Sequence, residues 1–290
     1  MREMGEAVEV SVIIPCFNGS NVIRAQLEAL STERVSWPWE VVIADNGSSD
    51  DSTAVCAAYA GRLFLRLIDA SDRRGQAHAR NVGARHALGR KLIFLDQDDV
   101  ISHGYVDHMA AALRQHDFVA ASMDHKELNP PWAVESRAFA AERGLRSGLF
   151  PWAYGCVLGI NRRLFEGVGG FDEDLPCAED VDLCWRIQRD AGAELFHVRE
   201  ALLRYRLKTS RRDLFFQGML YGRGGAALYR RWGPAGMSRR SLVDVARSWA
   251  AILRRLATTR DRGRRAQAWY LLGNRIGCVM GSIRERVVFL

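Results

Sequence analysis

The chain has 290 residues, of which 48% are hydrophobic and 26% charged, and this ordinary composition excludes a disordered or low-complexity protein. Its formal charge of +7 is unevenly spread: residues 1–198 hold 20 Lys+Arg and 29 Asp+Glu, a net charge of −9, whereas residues 199–290 hold 21 and 5, a net charge of +16. We therefore expect the acidic front and the basic tail to meet different partners.

The first half of the chain alternates strand-like and helix-like segments. Apolar runs predict strands over residues 10–15, 40–44, 63–68 and 91–95. Helical patterns cover residues 22–30, 53–60 and 77–88, and the chain is again helical from Leu214 onward. Repeated β-loop-α units of this length predict an α/β fold in which helices cover a parallel sheet, with ligands at the carboxyl ends of the strands.

Carboxylates follow two of these predicted strands. Asp45 comes directly after the second strand, and Asp96, Asp98 and Asp99 follow the fourth. Because the carboxyl ends of parallel strands share one edge of a sheet, we expect these acids to lie together. Carboxylate oxygens at such an edge suit Mg²⁺ or Mn²⁺ bound to a nucleotide diphosphate.

Two common nucleotide-binding motifs are missing. The first loop lacks G-x-G-x-x-G, and no G-x-x-x-x-G-K-[ST] occurs, which excludes a dinucleotide-binding dehydrogenase and a P-loop NTPase. The glycines at Gly222, Gly224 and Gly225 follow no predicted strand, so we treat them as a weak signal. Six cysteines without a C-x-x-C pair favour buried reduced thiols over a zinc site.

Other polar residues are candidates for chemistry. Arg80, near the start of the third helix, could reach a diphosphate or a base, or could simply pair with a neighbouring acid. Glu179 and Asp180 stand at the start of a helical stripe, where one acid is enough to cap the helix. The other acid would be free to act as a general base.

Taken in order, these motifs resemble family 2 glycosyltransferases of the GT-A fold. The resemblance spans about residues 10–206 and is carried by residues 11–18, 42–50, 80–83, 94–99, 169–172 and 179–186. It implies a Rossmann-like, mostly parallel sheet flanked by helices. It also implies inverting transfer of a sugar from a nucleotide diphosphate donor, a UDP- or dTDP-sugar, to a hydroxyl of a glycan, lipid-linked or small-molecule acceptor.

The resemblance also implies a role for each matching position. Asp45 would bind the nucleobase, and Arg80 the base or the diphosphate. Asp98, or else Asp96, would hold the divalent metal. Asp180 would be the catalytic base, with Glu179 contacting the acceptor or orienting the site. The implied nucleotide-sugar contacts are Pro15, Phe17, Asn18, Asp45, Arg80 and Asp96.

The sequence departs from the family pattern in two places. Related enzymes often supply a further metal or phosphate ligand, frequently a His, after the Glu-Asp helix, but residues 205–210 of this chain contain no His. Lys208 or Arg206 is therefore expected to contact the diphosphate instead and to weaken the dependence on metal. The Q-x-x-R-W motif of processive synthases is absent, which favours addition of single sugars. Two other functions stay open: a non-catalytic nucleotide-sugar-binding protein, and a nucleotidyltransferase that uses the same aspartates.

The predicted organisation is a catalytic domain over residues 1–212 and a basic helical region over residues 213–290. The catalytic domain would have a nucleotide-sugar half over about 8–100 and an acceptor half over 101–212. Apolar stripes at 242–256 and 269–283 either pack inside the protein or lie on an anionic membrane surface. Nucleic-acid binding lacks a supporting fold motif.

The expected location is the cytoplasm, with peripheral attachment to the cytoplasmic face of the membrane as the alternative. No run of about eighteen apolar residues predicts a membrane span. The polar residues 1–5 do not resemble a signal peptide.

Overall fold

The structure, a computed structural model, describes residues 7–137 and 144–290. The polar start over residues 1–5 and residues 138–143 of the predicted acceptor half lie outside the described residues. By its contacts the chain divides into two compact units. The first unit comprises Met1–Asp124, Arg143–Glu173 and Asp180–Tyr205. The second unit comprises His125–Glu142, Asp174–Glu179 and Arg206–Leu290.

The elements follow the alternation expected from the sequence. The strands are β1 (Val10–Cys16), β2 (Trp39–Asp45), β3 (Leu65–Asp69), β4 (Lys91–Phe94), β5 (Val100–Ile101), β6 (Phe118–Asp124), β7 (Leu158–Asn161) and β8 (Phe196–Arg204). The helices are α1 (Ile23–Ser31), α2 (Ser52–Ala57), α3 (Gln76–His86), α4 (Tyr105–Ala112), α5 (Pro131–Glu135), α6 (Arg162–Gly167), α7 (Glu179–Ala191), α8 (Arg211–Trp232), α9 (Leu242–Thr258) and α10 (Arg262–Glu285). The predicted bounds differ from these by only a few residues, as expected for helix and strand ends.

The first unit contains a sheet with the strand order β3-β2-β1-β4-β7-β6-β8-β5. Strands β1 to β4 pair in parallel, and every residue of β1 is buried, which is typical of a parallel strand covered on both faces. The predicted α/β fold is confirmed. The sheet is mixed beyond β4, because β7 runs antiparallel to both β4 and β6, and β5 runs antiparallel to β8.

In the second unit, α8 and α10 pack through their glycines. A Cβ at Gly222 would lie 2.2 Å from the carbonyl oxygen of Asn274, and one at Gly277 would lie 2.1 Å from that of Met219. Only glycine permits backbones to approach this closely. Gly222 thus belongs to a helix interface. Three apolar residues of the predicted stripe at 269–283 are exposed instead: Val279, Met280 and Ile283.

Two further expectations concern the cysteines and the helices of the described chain. All six cysteines carry free thiols, and five of them are buried, with Cys177 half-buried. Among the helices of the described residues, none combines the length and the apolar character that crossing a bilayer requires.

Candidate functional site

The polar loops after β1, β2 and β4 begin at the same edge of the sheet. Cys16, the last residue of β1, pairs with Asp45, the last residue of β2. The amide of Leu95, just after β4, donates to the carbonyl oxygen of Ile13 in β1 at 3.0 Å. The strand register therefore places Asp45, at the end of β2, beside the loops that carry Asn18 and Asp96, with Pro15 still inside β1.

Serine side chains connect the first two loops. The Ser48 hydroxyl donates to Asp45 Oδ1 at 2.5 Å and accepts from the amide of Asn18 at 3.0 Å. The Asn18 side chain in turn accepts from the Ser49 amide at 2.8 Å. Asn18 has a φ of +47°, a left-handed conformation that asparagine tolerates better than most residues. These contacts fix the positions of Asn18 and Asp45.

Gln97, the middle residue of the Asp96-Gln97-Asp98 motif, holds the first loop against the third. Its side-chain amide accepts from the backbone N–H of Phe17 and donates to the Phe17 carbonyl, both at 3.0 Å. A Cβ at Gly19 would lie 2.2 Å from Gln97 Oε1, so a larger residue there would displace the Gln97 amide from these hydrogen bonds. The Phe17 ring is 47% exposed and carries the Arg74 guanidinium at 4.5 Å from its centroid. The sequence reasoning missed Gln97.

Arg80 pairs with a motif acid rather than with an unrelated neighbour. Its Nη2 donates to Asp96 Oδ1 at 2.7 Å, and Gln76 Nε2 donates to the same oxygen at 2.8 Å. The Arg80 side chain is only 3% exposed, and its guanidinium lies 5.3 Å from the centroid of the Phe171 ring. A guanidinium stays charged even when buried, so Arg80 places a fixed positive charge beside Asp96.

Among the described residues, one group has the donor atoms for a metal ion. Ligand atoms of Asp96, Asp99 and Cys156 lie within 4.8 Å of one another, and Asp99 is 1% exposed. Burial, together with the charges of Asp96 and Asp99, raises the pKa of Cys156 well above its usual value, so its thiol stays protonated at neutral pH. The two carboxylates fit Mg²⁺ or Mn²⁺. Asp98, the predicted ligand, is half-buried and is not part of this group.

A single turn of 3-10 helix, Gly155–Val157, joins these residues to the candidate base. The Gly155 amide donates to Asp180 Oδ2 at 3.0 Å. On its other side, a Cβ at Gly155 would lie 2.6 Å from Arg80 Nη1, so glycine makes room for the buried guanidinium. The next residue, Cys156, belongs to the metal-type group. The sequence reasoning missed this turn, which contacts both Arg80 and Asp180.

The helix α7 begins at the Glu179-Asp180 pair. Asp180 Oδ1 accepts from the amide of Val181 at 2.8 Å, and Glu179 is buried. The residue before the pair, Ala178, has a φ of +67°, a strained conformation for a residue other than glycine. Glu179 falls in the second unit and Asp180 in the first. Lys208 and Arg206 also fall in the second unit.

The Gly-Gly-Phe-Asp loop is held by residues of α3. Asn81 Nδ2 donates to the carbonyl oxygen of Phe171 at 2.8 Å, and Asn81 Oδ1 accepts from the Phe171 amide at 3.0 Å. One α-turn earlier, His78 lies between two carboxylates, at 2.7 Å from Glu173 and 2.8 Å from Asp72. Burial alone would lower the pKa of His78, but the bonds to Glu173 and Asp72 outweigh it and raise that pKa. Both ring nitrogens face acceptors, as an imidazolium requires.

A buried ion pair fixes the other side of this loop. Arg186 Nε contacts Asp182 Oδ2 at 2.7 Å, and the Asp182 side chain is fully buried. The two remaining guanidinium nitrogens donate to the carbonyl oxygens of Val168 and Gly170, at 2.5 and 2.7 Å. Asp182 and Arg186 therefore attach α7 to the loop.

Comparison with known sequences identifies related proteins. The sequence model of the family described as Glycosyl transferase family 2 matches residues 11–168. An uncharacterized glycosyltransferase of Rickettsia prowazekii is 24% identical over 211 residues, which cover 69% of this chain and 64% of that protein. The chain thus spans less than two thirds of the length of that relative.

Solved structures share the fold. The crystal structure of Staphylococcus aureus TarS 1–349 in complex with UDP-GlcNAc matches with a TM-score of 0.54 at 17% identity, covering 97% of this chain and 93% of that one. A mannosyltransferase from Pyrobaculum calidifontis, in complex with GDP-Man and Mn²⁺, matches with a TM-score of 0.58 at 18% identity, covering 97% and 76%. At these identities the likeness is one of fold.

Proposed function

This chain belongs to glycosyl transferase family 2, and from that premise we propose that it transfers one sugar from a nucleotide diphosphate donor to an acceptor hydroxyl with inversion at the sugar. The observation that carries the proposal is the turn Gly155–Val157, which contacts Arg80 on one side and Asp180 on the other. A cation suited to a diphosphate and a carboxylate suited to a base thus lie at one backbone turn, as a single displacement needs.

In the proposed reaction Asp180 is the general base. Its carboxylate takes the proton of the acceptor hydroxyl while the hydroxyl oxygen bonds to the anomeric carbon and the bond from that carbon to the diphosphate oxygen breaks. The amides of Gly155 and Val181 each donate to one oxygen of Asp180, which fixes the plane of the carboxylate. Glu179 is proposed to contact the acceptor or to orient the site.

The departing diphosphate carries negative charge that must be stabilised. Arg80 is proposed to contact it, because its buried guanidinium already lies beside Asp96. Asp96, Asp98 and Asp99 are the candidate ligands of Mg²⁺ or Mn²⁺, which when bound would neutralise the diphosphate charge. In the Pyrobaculum neighbour Mn²⁺ accompanies GDP-Man, which supports a metal for this fold.

The donor is proposed to be a UDP- or dTDP-sugar. Asp45 would bind its base, and Pro15, Phe17, Asn18 and Asp96 would complete the nucleotide-sugar contacts. The UDP-GlcNAc held by the TarS neighbour is consistent with this class of donor. The acceptor is proposed to be a glycan, a lipid-linked or a small-molecule hydroxyl.

Lys208 or Arg206 is proposed to contact the diphosphate where related enzymes often place a His. This contact predicts activity that persists in part when EDTA removes divalent metal. If EDTA abolished activity while Lys208→Ala had no effect, this part of the proposal would be wrong.

Two other functions use the same acids but not the same constellation. A nucleotidyltransferase would use strand-end aspartates and Mg²⁺, and a non-catalytic nucleotide-sugar-binding protein would use the binding residues at the edge of the sheet. Neither function gives a role to Asp180, the acid that accepts from the Gly155 amide. Asp180→Asn separates them from the proposal, because it should abolish sugar transfer and leave nucleotide binding intact.

Thermal-shift measurements test the proposal directly. Nucleoside diphosphates and nucleotide sugars, with and without Mn²⁺, should raise the melting temperature of the wild type by mass action. Asp98→Ala and Asp99→Ala should each reduce the Mn²⁺-dependent part of the shift, whereas the control Asp69→Ala, an exposed acid at the end of β3, should not. No stabilisation by any nucleotide would overturn the proposal.

For the location, we propose the cytoplasm, with peripheral attachment of residues 213–290 to an anionic membrane surface. The net charge of +16 over residues 199–290 supports an anionic partner.

A further inference from the structure

The helix α9 has an apolar flank that the protein does not cover. Of its 17 residues, all of them described, Ile252 alone is buried. Three large apolar side chains of the same helix are strongly exposed: Leu242 at 70%, Val243 at 58% and Leu253 at 58%. An amphipathic helix of a globular protein normally turns such residues toward the core, so the exposure needs a reason.

The exposed residues form one continuous surface along α9. With 3.6 residues per turn, Leu242, Leu253 and Val243 span an arc of about 100° around the helix axis. Small apolar residues fill the arc between them, and all are exposed: Ala246, Ala250 and Ala257. We call these six residues the apolar arc.

The opposite side of α9 is attached to α10. The buried residue Ile252 lies outside the apolar arc. Arg255, three residues later and also outside the arc, donates from Nη1 to Gln267 Oε1 of α10 at 2.6 Å. The helix α10 is itself packed on α8 through glycine backbones. The apolar arc therefore points outward from a firmly packed support within the second unit.

Arginines border the apolar arc along one side, next to Val243, and flank both ends of the helix. Arg254 and Arg247 follow directly beyond Val243 around the helix, and both are exposed. Exposed arginines also precede the helix, at 239 and 240, and follow it, at 260 and 262. Asp244 lies beyond Arg247 around the helix and contacts its guanidinium at 3.9 Å, and the Asp244 amide donates to the hydroxyl of Ser241, which caps the helix start.

We propose that the apolar arc of α9 lies in the plane of an anionic lipid bilayer, with its leucines among the acyl chains and the bordering arginines at the lipid phosphates. This inference rests on, and makes specific, the peripheral attachment proposed above. A bilayer supplies hydrocarbon and anions together. A nucleic acid supplies phosphates without a hydrocarbon phase, and a second copy would present the same positive charge to itself.

The test uses the full chain and vesicles of phosphatidylcholine, either pure or with phosphatidylglycerol added. The wild type should sediment with the anionic vesicles at low salt, less at high salt, and not with the neutral ones. Leu253→Gln should weaken binding to the anionic vesicles by about tenfold or more, because a large apolar side chain no longer leaves water. Phe64→Gln, which removes a similarly exposed apolar residue of the first unit, should leave binding unchanged.

The other outcomes are distinct. Equal binding by Leu253→Gln and Phe64→Gln would overturn the assignment to α9. If the wild type did not sediment with anionic vesicles at low salt, membrane attachment would be overturned altogether. Self-association of the wild type that Leu253→Gln abolishes would favour a second copy as the occupant and also overturn the proposal. The nucleotide-dependent thermal shift of Leu253→Gln should equal that of the wild type. Failure of the glycosyltransferase proposal would therefore appear in the thermal shift, and failure of the membrane proposal in vesicle binding.

Discussion

Removing the Arg186 side chain should destabilise the protein more than removing any arginine on the exposed face of the same helix. Arg186→Ala leaves the fully buried Asp182 carboxylate without its cation and the carbonyl groups of Val168 and Gly170 without their donors. Breaking a buried ion pair from one side costs about 3–5 kcal/mol. The value expected for Arg186→Ala lies in the upper part of that range, because two further hydrogen bonds are lost with the pair.

Urea unfolding measures this cost, and the same helix offers a control. Arg189 pairs with Asp190 at 2.5 Å, but both side chains are nearly half exposed. Arg189→Ala should therefore cost less than about 1 kcal/mol. If both variants lowered the free energy of unfolding by a similar small amount, the Asp182–Arg186 pair would not attach α7 to the loop in the way described.

Two further predictions concern the His78 cluster and the glycine interface. Because the carboxylates of Glu173 and Asp72 raise the pKa of His78 in the folded state, its stabilisation should be complete below its ordinary value of 6.5 and should fade as the pH rises through the raised pKa. His78→Gln should thus lower the free energy of unfolding more at acidic than at alkaline pH, and equal loss at both would contradict the charged cluster. Gly222→Ala, whose Cβ would meet the Asn274 carbonyl at 2.2 Å, should lower the melting temperature by several degrees. Gly167→Ala, at the end of α6 with nothing within 4 Å, should not, and equal melting temperatures for the two variants would contradict the close packing of α8 and α10.

The parallel part of the sheet could be predicted because its information is local. Each of β1, β2 and β4 is an apolar run with turn residues after it, so strand type and order along the chain follow from the sequence. The position of β7 between β4 and β6, antiparallel to both, could not be predicted in the same way. Its four residues, Leu158–Asn161, carry no periodic pattern, and their partners β4 and β6 are distant in sequence.

The candidate site was predictable to the same degree. The motif acids follow buried strands, so their shared edge is a consequence of parallel pairing. Gly155 gave no such signal, because its importance comes from contacts with Arg80 and Asp180 that only tertiary structure creates. The helix interface did leave a signal. Gly218 and Gly222 in α8, like Gly273 and Gly277 in α10, are four residues apart and lie on one helix face.

The glycine packing of α8 against α10 has a consequence for how the basic tail can evolve. The two backbones touch directly at these glycines, and the Tyr221–Tyr270 ring contact and the Arg230–Glu285 ion pair also join the two helices. Substitutions of outward arginines and leucines that take no part in these contacts should leave the glycine packing intact. The outward surface of this part of the chain can therefore change its charge and polarity without a change in the helix packing. A shift from one anionic partner to another would require substitutions of outward residues alone.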